Sequence, residues 1–272
     1  MPEKFRYIIC FEFLGTNFFG SQKQPDKRTV QGEIEKALCT LTKDKISTIF
    51  SGRTDSKVSA KFQIAHFDLE NKINDTEKFL YHINCILPDD IKIFDIKEVN
   101  PTFHCQKDAK YKHYRYTILN SHVASAFDFC YLFYPYKKLD IARLNKALSY
   151  LVGYHDFSAF KSKSDNPYND CTIYYAKAQK ITNKWQNFIF IDIVGNRFLY
   201  NMVRTIVGQL LFLERNCLNP NLMETILKSK DRTKTANVID AKGLTLEYVG
   251  YDNVNDYIKN NLIKRKVNNE NI

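Results

Sequence analysis

The sequence predicts an α+β protein with an antiparallel sheet covered by helices in each half. Two observations carry that expectation. Short stretches such as Phe5–Phe13 and Lys112–Leu119 alternate apolar and polar residues, the period of a half-buried strand, and amphipathic helical stripes lie between them. The strands are also too short and too polar for a doubly wound parallel sheet, whose strands are covered on both faces.

In chain order, Phe5–Phe13 places Tyr7, Ile9, Phe11 and Phe13 on one face. Leu14–Lys27 is polar and turn-rich, with Gly15, Gly20 and Pro25. Thr29 can cap a helix with the stripe Val30, Ile34, Leu38 and Leu41, and Glu33 suits the positive end of its dipole. A strand at Ile46–Ser51, a polar turn at Gly52–Lys57 and a strand at Lys61–Leu69 follow. Glu77–Cys85 reads as a helix stopped before Pro88, and Ile91–Val99 as a strand. Pro101 marks the boundary between a half 1–100 and a half 101–272.

In the second half, Lys112–Leu119 sets Tyr114, Tyr116 and Ile118 against His113, Arg115 and Thr117. A helix is expected at Ile141–Leu151, an exposed loop at Lys161–Asp170, and a hairpin of Ile173–Ile181 with Phe188–Val194 around Asn183. A long helix at Phe198–Arg215, a short one at Leu222–Lys228 and a strand at Leu244–Tyr251 complete the pattern. The basic tail with Lys264, Arg265 and Lys266 should fray.

Composition narrows the classes. The 272 residues include 17 Tyr and 20 Phe, are 44% apolar and hold only 9 Gly and 7 Pro. That excludes a disordered or fibrous chain. Charged residues break up any apolar signal core in the first 13 positions, and the most apolar run, Phe198–Leu213, is interrupted by Asn201, Arg204 and Gln209, so a cytoplasmic protein is expected. Seven dispersed cysteines without a Cys-x-x-Cys pair, and six histidines without ligand spacing, argue against a disulfide framework or a metal site. The net charge of +10 favours a polyanionic partner, of which nucleic acid is the commonest.

The segment Ser51–Ala60 puts Arg53 and Asp55 on a turn between two strands. On its own such a turn is a surface ion pair. Other segments give it meaning. Gly15-Thr16-Asn17-Phe18-Phe19-Gly20-Ser21-Gln22-Lys23-Gln24 with Thr29-Val30-Gln31 resembles the opening of the tRNA pseudouridine synthase A family, and Gly52–Ala60 resembles its Gly-Arg-Thr-Asp-Ala-Gly-Val-His-Ala signature. Asn84–Ile91 is similar to its Asn-x-x-Leu-Pro-x-Asp-Ile, and Ala109–Ile118 to its Ala-x-x-x-x-Tyr-x-Tyr-x-Ile. Asn201–Gly208 matches its Met-Val-Arg-x-Ile-Val-Gly; Lys230-Asp231-Arg232 and Lys242-Gly243-Leu244 complete a colinear series.

The resemblance implies a pseudouridine synthase fold, with two RRM/ferredoxin-like halves whose antiparallel sheets join into one extended sheet. It also implies isomerisation of uridine to pseudouridine at positions 38, 39 and 40 of the tRNA anticodon stem-loop, by a homodimer without cofactor or metal. Carried over by position, Asp55 is the nucleophile and Arg53 its neighbour in the motif. Tyr114 is the active-site tyrosine, Arg204 the second arginine, and Leu244 lines the pocket. Lys161 and Lys163, with Lys137 and Lys138, lie on loops where tRNA could run. The half 1–100 then carries the catalytic aspartate and 101–272 completes the active-site cleft.

Several positions depart from the family pattern. Lys57 replaces a glycine, Ser59 stands where histidine is common, and Ser21 replaces tryptophan. Gln106 and Cys171 each replace an arginine, removing charge from segments expected to face RNA. Two other readings compete: a non-catalytic tRNA-binding protein that keeps the fold, and a hydrolase built on a Cys–His pair.

Overall fold

The computed structural model of the chain describes residues 4–124, 126, 130–164, 167–183 and 185–263. In order these form β1 (Phe5–Phe13), α1 (Val30–Thr42), β2 (Ile49–Phe50), β3 (Ser59–Leu69), α2 (Thr76–Ile86), β4 (Ile91–Val99) and β5 (Tyr111–Leu119). There follow β6 (Leu132–Phe133), α3 (Ile141–Ser149), β7 (Gly153–Asp156), β8 (Asp170–Asn183) and β9 (Gln186–Gly195). The last elements are α4 (Met202–Arg215), α5 (Leu222–Ser229), β10 (Leu244–Gly250) and α6 (Val254–Ile258). The basic tail beyond Ile263 lies outside the described residues, as does Asn166 of the 161–170 segment.

The chain divides into two compact units. The first is Met1–Ala109 with Leu244–Val249, and the second is Lys110–Gly243 with Gly250–Ile272. In the first, the strands run β4-β1-β3-β10. β1 pairs antiparallel with β3 from Phe5↔Leu69 to Phe13↔Ala60, and with β4 from Arg6↔Val99 to Phe13↔Ile91. The exception to antiparallel pairing is β10, which lies parallel to β3 with Thr245 opposite Ser59 and Leu246 opposite Ala60. Tyr7, Ile9, Phe11 and Phe13 are buried, as the alternation requires, and so are Val30, Ile34 and Leu38 of α1. Thr29 caps α1 by accepting a hydrogen bond from Gly32 N–H, and Asp75 caps α2 through Lys78 N–H at 2.9 Å.

Asn84 and Asp90, both in the family-like segment Asn84–Ile91, tie this unit together. Asn84 accepts from Ile93 N–H at 2.9 Å and donates to Ile93 O, fixing α2 on β4. Arg28 grips Asp90 with both guanidinium arms, at 2.7 and 2.8 Å, and its charge sits 4.2 Å from the Phe18 ring centroid. The hydrogen bonds from Arg28 hold the Asp90 carboxyl below the usual carboxylate range.

In the second unit the order is β5-β9-β8-β7, antiparallel throughout, with short β6 parallel to β5. α3 packs on β8, where Asn145 donates to Ala178 O and accepts from Ala178 N–H at 3.0 and 2.8 Å. That side chain satisfies main-chain groups of the strand beyond the reach of four-residue β7. Three expectations shift. The strand expected over Ile46–Ser51 shrinks to Ile49–Phe50, and β7 forms where none was expected. The long helix starts at Met202 rather than Phe198, because Asn201 takes a left-handed conformation at φ 60°.

Among the cysteines of the described residues, Cys10, Cys105 and Cys171 are buried, whereas Cys85 and Cys217 are exposed. Among the described residues no helix is long and apolar enough to cross a membrane.

Candidate active site

The loop between β2 and β3 carries Arg53, which is exposed, Thr54, which is buried, and Asp55, which is half-buried. Its ends are fixed first. Ser51 N–H donates to Ile64 O at 2.8 Å, and the Gln63 side chain, itself fully buried, donates to Gly52 O at 3.0 Å. Val58 N–H then reaches back to Asp55 O at 3.2 Å and closes a turn. Within that turn Lys57 stands at φ 67°, the left-handed region its family-like counterpart glycine enters without penalty. The replacement therefore keeps the backbone and accepts the strain, about 1 kcal/mol for a residue with a Cβ.

The segment 15–21 lines the other side of the loop. Thr54 N–H donates to Ser21 Oγ at 2.8 Å, and Ser21 N–H returns a bond to Thr54 O at 3.1 Å. Lys57 N–H and Ser56 Oγ both donate to Phe18 O, each at 3.2 Å. Gly15 N–H donates to Ser59 Oγ at 3.0 Å. Two glycines make the approach possible: a Cβ at Gly15 would lie 2.2 Å from Val58 O, and one at Gly20, where φ is 93°, would lie 3.0 Å from Thr54 O. The segment itself is held by α1, since Gln31 accepts from Lys23 N–H and donates to Thr48 O, both at 2.9 Å.

Leu244 is buried at the start of β10. Because Thr245 pairs with Ser59, the strand brings Leu244 to the point where the Asp55 loop enters β3. Those are the expected site residues of the first unit: Arg53, Asp55 and Leu244.

The other four belong to the second unit. Tyr114, 8% exposed on β5, packs edge-to-face against Phe198 with ring centroids 4.9 Å apart. Arg204, in the first turn of α4, donates from Nε to Ile239 O at 2.8 Å and from Nη1 to Asn201 Oδ1 at 2.7 Å. These two bonds set the plane of its guanidinium. Lys161 is partly buried with its ammonium on Asn169 Oδ1 at 2.9 Å, so it is less of a free surface cation than the sequence suggests; Lys163 is exposed. Lys137 and Lys138 are exposed too, and Lys137 donates to Glu214 O at 3.2 Å.

One departure changes meaning. Cys171 is fully buried in β8 opposite His155, and burial pushes its thiol up to about 11. The thiol is enclosed within the unit, so the cysteine itself offers nothing to a surface. Gln106 is exposed.

A Cys–His pair does exist: His66 Nδ1 lies 3.1 Å from Cys105 Sγ. Yet Cys105 is fully buried with its thiol on Ile49 O at 2.9 Å, and burial lowers His66 to about 4, so the imidazole is neutral. A hydrolase nucleophile needs an accessible thiolate beside a base that can take its proton, and this pair offers neither.

The sequence alone did not disclose the role of one acid that is almost fully enclosed in the second unit. Asp192, 1% exposed on β9, accepts from His113 Nε2 at 2.8 Å and from Arg115 Nε at 2.7 Å, while His113 Nδ1 meets the Tyr257 hydroxyl at 2.9 Å. Burial alone would raise the Asp192 carboxyl, but the hydrogen bond from His113 and the charge of Arg115 hold it below the ordinary range. His113 and Arg115 share a face of β5, which was legible, but their partner arrives from another strand. Among the described residues no three His, Cys, Asp or Glu side chains gather into a set able to hold a metal.

A family profile described as tRNA pseudouridine synthase matches residues 9–112 and 147–252, spanning the Asp55 loop, Tyr114's strand up to Lys112, Arg204 and Leu244. The chain belongs to the tRNA pseudouridine synthase family. Among similar proteins, the tRNA pseudouridine synthase A of Clostridium acetobutylicum is 41% identical over 244 residues, covering 89% of this chain and 98% of that one. The Brevibacillus brevis protein of the same name is 39% identical, with 92% of this chain and 100% of its own length covered. The Thermotoga protein is 38% identical, with coverage of 88% and 96%. The similarity thus runs through both units, as the family's two-part motif series requires.

Proposed function

We propose that this chain isomerises uridine to pseudouridine at positions 38, 39 and 40 of the tRNA anticodon stem-loop, with Asp55 as nucleophile. The observation that carries the reading is the Asp55 loop: a half-exposed carboxylate on a main chain tied at both ends, inside the family's signature segment.

The reaction breaks the C1′–N1 bond, turns the base and joins C5 to C1′. A carboxylate can attack, or take a proton from the sugar, and so divide a hard step into two easier ones. It must be ionised to do so, and arginine favours that form because it keeps its charge and presents a planar fork. Arg53 and Arg204 take this orienting role, and the two bonds that fix Arg204's plane suit it. Tyr114 supplies the aromatic platform, where base stacking is worth roughly 1–3 kcal/mol. Leu244 lines the pocket. Extruding a stacked base costs a few kcal/mol, which phosphate contacts of a chain with net charge +10 can offset. Lys161 and Lys163 belong to that surface.

On this reading residues 1–100 carry the nucleophile and 101–272 complete the site. The protein works in the cytoplasm as a homodimer on tRNA, without a cofactor. The test is conversion of an anticodon stem-loop RNA by purified protein and by Asp55→Asn. The wild type should form pseudouridine and the variant none, while both bind tRNA equally. Product from Asp55→Asn overturns the assignment, and binding without product by the wild type would instead make the chain a non-catalytic tRNA-binding protein.

A further inference from the structure

Ser21 and Ser59 stand where the family pattern has tryptophan and often histidine, and both are buried, at 1% and 5% exposure. Burying a hydroxyl is unfavourable unless it is hydrogen-bonded. Each of these hydroxyls meets a main-chain amide far away in sequence. Ser21 Oγ takes Thr54 N–H at 2.8 Å, and Ser59 Oγ takes Gly15 N–H at 3.0 Å. The two departures are therefore the two ends of one clasp, which holds segment 15–21 against loop 54–59.

Thr54 lies between Arg53 and Asp55; the Ser21 hydroxyl takes its N–H, while the Ser21 main-chain N–H, which any residue supplies, donates to its C=O. Fixing that peptide fixes the directions in which its two neighbours leave the chain. The clasp works against a load. Lys57 is held at φ 67°, and a residue with a Cβ gains by leaving that region. Thr54 Oγ1 is buried without a hydrogen-bond partner, so the threonine side chain does not anchor the loop. Released at Ser21, the loop can relax through Lys57, two residues from Asp55.

We propose that Ser21 and Ser59 are positioning residues for the isomerase reaction, acting through the Thr54 peptide and Gly15 to hold Asp55 in its reactive direction. This rests on Asp55 being the nucleophile. The prediction is a loss in turnover without a loss in RNA affinity. Misplacing a reacting group by 1 Å costs on the order of 100-fold, so Ser21→Ala should lower kcat about 30-fold and Ser59→Ala about tenfold, with KM changed less than about twofold. Rates are measured on an anticodon stem-loop at a temperature where circular dichroism shows each variant folded. Lys57→Gly, introduced into Ser21→Ala, removes the load that the clasp opposes and should recover a large part of the lost kcat. A merely structural serine would not respond to that second change.

Asp55→Asn is run alongside. If it is inert while Ser21→Ala turns over like the wild type, or loses kcat that Lys57→Gly does not recover, the positioning role is wrong and the nucleophile stands. If Asp55→Asn itself makes pseudouridine, the reading of Asp55 fails and this inference fails with it.

Discussion

Asp55 and Asp192 are placed by opposite means. Around Asp55 the structure ties the main chain: Thr54, Lys57 and Val58 all bond through their backbone groups, and the carboxylate rides half-exposed on the result. Around Asp192 the side chain itself does the tying, with His113 and Arg115 converging on its oxygens at 1% exposure. The comparison sets the acid proposed to meet the substrate beside one whose carboxylate joins two strands, although both lie near arginine in sequence or in register. At Asp55 the main chain of the loop is bonded to segment 15–21, and at Asp192 the bonds from His113 and Arg115 end on the carboxylate itself.

Paired substitutions test that contrast most sharply. Asp55→Asn should lower kcat by at least about 1,000-fold, with a melting temperature close to that of the wild type. Asp192→Ala should do the reverse. Removing one partner of a buried charged cluster costs about 3–5 kcal/mol, so urea denaturation should show a large loss of stability, while activity per folded molecule persists. If Asp192→Ala instead kills turnover in a fully folded protein, the two acids are not divided as stated.

His66 extends the comparison to pH. Its folded pKa of about 4 lies below the ordinary value of 6.5, so the unfolded chain binds the proton first as pH falls. Stability is complete above about 6.5 and declines through about 4, by an amount on the order of 2–3 kcal/mol. His66→Gln should flatten that part of the acid limb in denaturation curves taken between those values, leaving the contribution of carboxylates such as Asp68.

Smaller effects refine the picture of the surface and the loop. Lys163→Ala should raise KM a few-fold at constant kcat and reduce the salt dependence of tRNA binding, as loss of about one phosphate contact does. Lys57→Gly in the wild-type background should stabilise the fold by about 0.5–1 kcal/mol in thermal melts, since the left-handed turn then costs nothing extra. No gain would mean the turn is relaxed with lysine in place.

Much of this was legible beforehand, for a physical reason. β1 and β4 fall on the residues expected, because strong alternation between Phe13 and a turn, or between Pro88 and Pro101, leaves little freedom. Thr29 caps α1 as local chemistry dictates. What escaped was set by distant partners. β7 has four residues and no clear alternation, and exists because β8 extends back to Asp170 to meet it. Phe198 left the helix to pack on Tyr114. At the candidate site the residue types could be read from the motif, but not the clasp: Ser21 and Thr54 are 33 positions apart, and Gly15 and Ser59 are 44 apart.

The parallel pairing of β10 with β3 sets an order of events during synthesis. The first unit receives its last strand from Leu244–Val249, after the whole of residues 110–243 has been made. On the ribosome the edge of β3 at Ser59 and Ala60 therefore waits for a segment nearly two hundred residues downstream. A nascent chain halted before residue 244 presents an unfinished sheet edge next to the Asp55 loop, a natural landing place for chaperones or for another unfinished copy.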